Sequence, residues 1–261
     1  FAGTGKRVYI FTKNGEVFKP FVTDDGLVLI VMGKSSLGVA GTRVAIDPQP
    51  LVDVNLIHFD SYLKNNPHLK VDSKFYSSAY CNIPKPNFVV YDPTGAPVGK
   101  LWVRDIYVTD LNTLFGYNLW WVDLEPNRKI PNRRTLAKEI AMAHTPLTVR
   151  FLLDRVVVRS DHPKIYVLDY RFDEVKPYEI RWEFMSKDTS SAVRSWLVER
   201  NFAVATDRAV AQWGLYLLTG KINGVVVAHE GVTDLFAGAH DRFIERLIAE
   251  DSKMTLDNAQ S

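Results

Sequence analysis

Asp161, followed by the triplet Glu174-Val175-Lys176, is the spacing in this chain that most resembles chemistry. Two carboxylates hold a divalent cation through hard oxygen ligands, and a neighbouring lysine orients water or offsets developing charge, which together support metal-assisted hydrolysis. The spacing discriminates weakly. Pro177 follows Lys176 directly and draws the triplet into a turn rather than a strand, and Asp60 with Asp72-Ser73-Lys74 satisfies the same template. Gly3-Thr4-Gly5-Lys6 has the letters that end a phosphate loop, yet Arg7 and a strand follow where that loop needs Ser/Thr and a helix.

Other constellations are sparser. His58, His68, His144, His162, His229 and His240 include no pair at the i, i+4 spacing of a helical zinc site, and the single Cys81 has no ligand partner near it. His240-Asp241 shares its letters with metal-dependent phosphohydrolases, but the further ligands are missing. The helical period puts His240 on an apolar stripe, so a core or interface histidine is expected there. No Gly-x-Ser-x-Gly elbow occurs. Neither a metal nor a cofactor is expected, and no catalytic residue is assigned outside the Asp161, Glu174 and Lys176 alternative.

The strongest local charge feature is Arg128, Lys129, Arg133, Arg134 and Lys138: five cations in eleven positions without an acid. Arg133 and Arg134 fall in the first turn of an expected helix, where the macrodipole already presents positive charge, at a cost of roughly a few tenths of a kcal/mol. An anionic partner would relieve that placement, either a phosphate backbone or an acidic patch on another subunit. With this cluster as a nucleic-acid track, Asp161, Glu174 and Lys176 fit a Mg²⁺-dependent nuclease of the PD-(D/E)xK type. Without catalysis, the cluster alone fits a nucleic-acid-binding protein.

The elements that would carry these residues change character along the chain. Up to about residue 186 the pattern is β-rich: Arg7–Lys13 and Glu16–Val22 flank Asn14-Gly15, the strongest short hairpin signal. Leu27–Met32 is an apolar run of the kind buried on both faces. Strands are also expected over 43–47, 52–59, 88–91, 99–109, 117–124, 147–159, 165–172 and 178–185, with a turn at Asp92-Pro93-Thr94-Gly95 joining 88–91 to 99–109 and a short helix at 72–80. Trp120-Trp121 would point to opposite faces of its strand, one to the core and one to an interface. One helix, capped by Asn132, interrupts this body near 133–144. From Asp188 the period moves to about 3.6, giving helices that carry Val193-Trp196-Leu197, then Val210-Trp213-Leu217 on a helix apolar nearly all round, then Phe236-His240-Phe243-Leu247. The fold class is α+β, with antiparallel hairpins over 1–186 and a helical subdomain over 187–261.

Composition bounds the function. The chain has 261 residues, 32 Lys+Arg against 30 Asp+Glu, a net charge of +2, 46% hydrophobic and 12% aromatic residues. Disorder and coiled coil are excluded, and near neutrality speaks against a dedicated nucleic-acid binder. No apolar window of about 18 residues exists, so no membrane span is expected. The chain opens at Phe1 rather than Met and closes on the polar stretch Asp251–Ser261, features expected of a processed chain whose tail is held by a neighbour. These features together favour a structural subunit of a larger assembly, such as a processed head or tail component of the virion of a large tailed bacteriophage. It would act in the cytoplasm or the virion, with other protein subunits as partners and nucleic acid as a further partner of the basic cluster.

Overall fold

Val8–Phe11 (β1) and Glu16–Thr23 (β2) pair antiparallel, with Ile10 opposite Phe18, as the Asn14-Gly15 signal leads one to expect. In the computed structural model the described residues are 8–12, 16–23, 26–34, 43–46, 58–78, 81–124 and 132–260, and the chain divides into two units, Phe1–Val54 and Asn55–Ser261. The first unit is a four-stranded antiparallel sheet in the order β3-β2-β1-β4, with β3 at Gly26–Lys34 and β4 at Arg43–Ile46. The apolar run of β3 is not buried on both faces. It is an edge strand, and Leu29, Ile30, Val31 and Met32 are all exposed.

The second unit begins with a short helix, α1 (Phe59–Asn65), and a five-stranded sheet. Its strands are β5 (Lys70–Ser78), β6 (Cys81–Tyr91), β7 (Lys100–Val103), β8 (Ile106–Asp110) and β9 (Gly116–Leu119), in the order β5-β6-β9-β7-β8. Residues 72–78 of the helix expected at 72–80 are therefore strand, paired to β6, and 79–80 lie outside the described residues. Most of the strand expected over 52–59 lies outside the described residues, and Phe59 opens α1. The turn at Asp92–Gly95 forms, with Gly95 N–H donating to Asp92 O at 2.9 Å, but β7 pairs with β8 and β9 instead of folding back on β6. A tighter turn at Arg104 and Asp105, both left-handed at φ 51° and 69°, closes the β7–β8 hairpin. The two-residue period divides the sheet's faces: Leu101 and Val103 join the main core, while Trp102 faces Phe59 of α1.

Helix α2 (Arg133–Ala143) starts where Asn132 accepts from the Arg134 and Thr135 amides. Residues 147–156, expected as strand, form helix α3 (Pro146–Val156) instead. Thr145 and Thr148 make a reciprocal capping box and Pro146 occupies the first turn, which together outweigh the β-branched content. Only β10 (Val157–Arg159) remains extended, and it pairs with β11 (Ile165–Leu168). The alternating stretch 178–185 is not a strand either: Tyr178 is left-handed at φ 64° and Trp182–Phe184 is a 3₁₀ turn.

Beyond it come α4 (Lys187–Arg200), β12 (Phe202–Ala205), α5 (Arg208–Leu217), β13 (Gly224–Val227), a 3₁₀ segment over Thr233–Arg242, and α6 (Ile244–Gln260). The region 187–261 is thus not purely helical. Strands β12 and β13 run parallel to β11 in a sheet of order β10-β11-β13-β12. Phe202 and Val204 pack with Val193, Trp196 and Leu197 of α4, whereas Ala203 and Ala205 pack with Ala211 of α5 and Ile244 of α6. Helices on both faces of a parallel sheet are the usual way such strands are covered. Helix α5 is one-sided rather than apolar-buried all round: Ala211 and Gly214 are buried, while Trp213, Tyr216 and Leu217 are exposed. The whole is a mixed α+β fold, β-rich toward the N-terminus and with helices concentrated in the C-terminal half. The expected boundary at 186/187 falls inside the second unit.

Candidate functional site

The three residues of the alternative metal-dependent reading, Asp161, Glu174 and Lys176, have separate environments. Glu174 sits in a 3₁₀ turn, fully buried, where its carboxylate accepts the Leu114 and Phe115 amides and the Tyr117 hydroxyl, each at 3.1 Å. Burial pushes its carboxyl up to about 7 in spite of those donors. Asp161 is exposed in the β10–β11 turn and pairs with Arg208, whose hydrogen bond holds the carboxyl below the usual carboxylate range. Lys176 pairs with Asp173 at 2.7 Å, which raises its ammonium above the ordinary value. Among the described residues there is no group of three His, Cys, Asp or Glu arranged to hold a metal ion.

Glu174 instead anchors a buried chain that sequence reading missed. Tyr117 Oη lies 3.1 Å from His144 Nε2, and His144 Nδ1 lies 3.1 Å from Thr148 Oγ1. Because the Tyr117 proton goes to Glu174, its oxygen accepts from His144 Nε2–H, and Nδ1 then accepts the Thr148 hydroxyl proton. Burial first, and the Lys74 charge second, hold His144 down at about 3, so the imidazole is neutral. Lys74 and Thr189 both donate to the His144 carbonyl, at 3.2 and 2.9 Å. Glu174, Tyr117, His144, Thr148 and Thr189 are all enclosed and Lys74 is half-buried, so the chain ties the five-stranded sheet to α2, α3 and α4. His240, expected in a core or at an interface, is exposed and so is not a core residue.

Of the basic cluster, Arg128 and Lys129 lie outside the described residues. Arg133 and Arg134 line a cleft of about 1100 Å³ in the second unit. Lys138 is not part of its wall: the ammonium lies 5.0 Å from the centre of the Phe184 ring. The lining also includes Asp173, Tyr178–Arg181 and the loop after β13, with Glu230, Gly231 and Asp234. That loop leaves the carboxyl end of a parallel strand, where open α/β sheets hold ligands. Trp120 and Trp121 follow β9 half-buried, and Trp120 lines a second groove of about 320 Å³ with Phe59, Leu63, Val71, Pro86 and Phe88.

The first unit has a different kind of site. None of its residues whose burial is described is buried, and β3 carries Leu29, Ile30, Val31 and Met32 exposed to 50, 45, 58 and 54%. Successive residues of a strand point to opposite faces, so both faces of this edge are apolar and open.

No protein-family model matches this chain, and no curated protein matches it. No helix among the described residues is long and apolar enough to cross a membrane.

Proposed function

We propose that the chain is a structural subunit of a larger protein assembly, one that docks on neighbouring protein subunits through the β3 edge. The virion head or tail of a large tailed bacteriophage is the setting its sequence character suggests. The observation that carries the reading is the exposure of Leu29–Met32 on both faces of an edge strand. Proteins that stay apart blunt such edges with charge, proline or bulges, because the free N–H and C=O groups template another strand. From Gly26 to Gly33 the strand has no charged residue and no proline, and its one bulge, at Met32, leaves Gly26–Val31 in regular pairing with β2. An incoming strand would satisfy the free backbone edge and shelter the apolar side chains at once.

Light scattering on the eluting protein tests this. The purified chain is expected as a defined oligomer, and Ile30→Lys with Val31→Lys is expected to return it to a monomer with an unchanged circular dichroism spectrum. A wild-type chain that stays monomeric at high concentration would overturn the reading.

A further inference from the structure

Ion pairs neutralise part of the wall of the 1100 Å³ cleft: Asp173 with Lys176, Glu183 with Arg181, and Asp110 with Lys100. Five charged groups are not so paired. The guanidinium groups of Arg133 and Arg134 and the carboxylates of Glu179, Glu230 and Asp234 make no hydrogen bond or ion pair with another described residue, although all five line the same cavity. Opposite charges that share a cleft without meeting leave room for a ligand that satisfies both.

Tyr178 supplies the third ingredient. Its side chain is exposed to 74%, yet its position is braced: the Tyr178 amide donates to Gly231 O at 3.0 Å, and the ring lies against Gly231. A Cβ at position 231 would come within 2.7 Å of the ring, and Gly231 is itself left-handed at φ 87°. An exposed aromatic ring held against backbone is a stacking platform for a planar group.

We infer that this cleft binds a nucleotide, with the phosphate on Arg133 and Arg134, the base stacked on Tyr178, and an amino group of the base donating to Glu230 or Asp234. Guanidinium groups match phosphate oxygens in a planar, bidentate fashion. Carboxylates accept from the amino groups of guanine and cytosine, whereas uracil presents an oxygen at the corresponding edge and meets repulsion. The inference is independent of the β3 edge, which belongs to the other unit.

Calorimetric titration of the full chain with GMP, CMP and UMP, and with inorganic phosphate alone, tests it. GMP or CMP is expected to bind saturably, with UMP and inorganic phosphate at least about tenfold weaker, which corresponds to about 1.4 kcal/mol. Arg133→Ala with Arg134→Ala is expected to cost tenfold or more. Tyr178→Ala is expected to cost about tenfold while Tyr178→Phe keeps binding, consistent with stacking. Glu230→Gln with Asp234→Asn is expected to bring GMP and UMP together. The inference is overturned if no nucleotide binds saturably at millimolar concentration, if UMP binds as well as GMP and CMP, or if the arginine pair is dispensable.

Discussion

The Tyr117 hydroxyl donates to the Glu174 carboxylate at 3.1 Å, with both residues wholly enclosed. The same carboxylate takes two successive backbone amides, Leu114 and Phe115, at the entry to β9. Glu174 therefore holds a strand in place, and this role governs what its removal does.

Glu174→Ala leaves three buried donors without an acceptor. Each such loss costs about 1–3 kcal/mol, so the expected destabilisation is about 3 kcal/mol or more. Urea denaturation measures it. A midpoint within error of wild type would contradict the role assigned to the carboxylate.

Stability is expected to depend on pH in a signed way. Burial pushes Glu174 and Glu139 each up to about 7 from 4.5, so between those values the native state keeps protons that the unfolded chain releases, and stability falls as pH rises. His144, held at about 3 against 6.5, acts oppositely: the unfolded imidazole binds a proton that the native one refuses, so stability falls as pH drops through that window. Two acids outweigh one histidine where the windows overlap, from 4.5 to 6.5. Wild-type urea midpoints are expected to decline with rising pH there, and Glu139→Gln is expected to flatten the curve. A slope unchanged by that substitution would show that Glu139 titrates normally.

Gly214→Ala is expected to destabilise in spite of alanine's better helix propensity. A Cβ at 214 would come 2.5 Å from Ile244 Cδ1 and 2.6 Å from its Cγ2, where α5 meets α6. Overpacking costs about 1–3 kcal/mol against about 1 kcal/mol gained in the helix. Thermal unfolding reads the balance, and Ile244→Val, which removes Cδ1, is expected to relieve part of it.

Trp213→Gln and Tyr216→Gln are expected to leave the stability of the fold within about 0.5 kcal/mol, because both side chains face away from the packed side of α5. A loss of several times that amount in chemical denaturation would mean that these aromatics are covered.

Much of the local structure was readable in the residues themselves. Asn14-Gly15 flanked by alternating strands led to the β1–β2 pairing, and Asn132 marked the start of α2. The stretch from Asp188 produced α4 with Val193, Trp196 and Leu197 on its buried face. Each of these signals acts within a turn or two of chain. Pro146 was legible too, but as the end of one helix. Its second meaning, as the first turn of α3 behind the Thr145 cap, competed with a β-branched run that pointed the other way. Strands β12 and β13, four residues each, are too short to show a period.

The candidate sites divide along the same line. The sequence by itself determined that Arg133 and Arg134 stand unusually at a helix start and that Leu29–Met32 is strongly apolar, because residue type and local spacing carry both facts. Only the tertiary structure decided that β3 lies at an edge, that Glu174 is enclosed by Tyr117, Leu114 and Phe115, and that Arg133 and Arg134 share a cleft with Glu230 and Asp234. Burial and charge pairing depend on which element covers which. That is settled by contacts between residues far apart in the chain, which spacing and periodicity do not report.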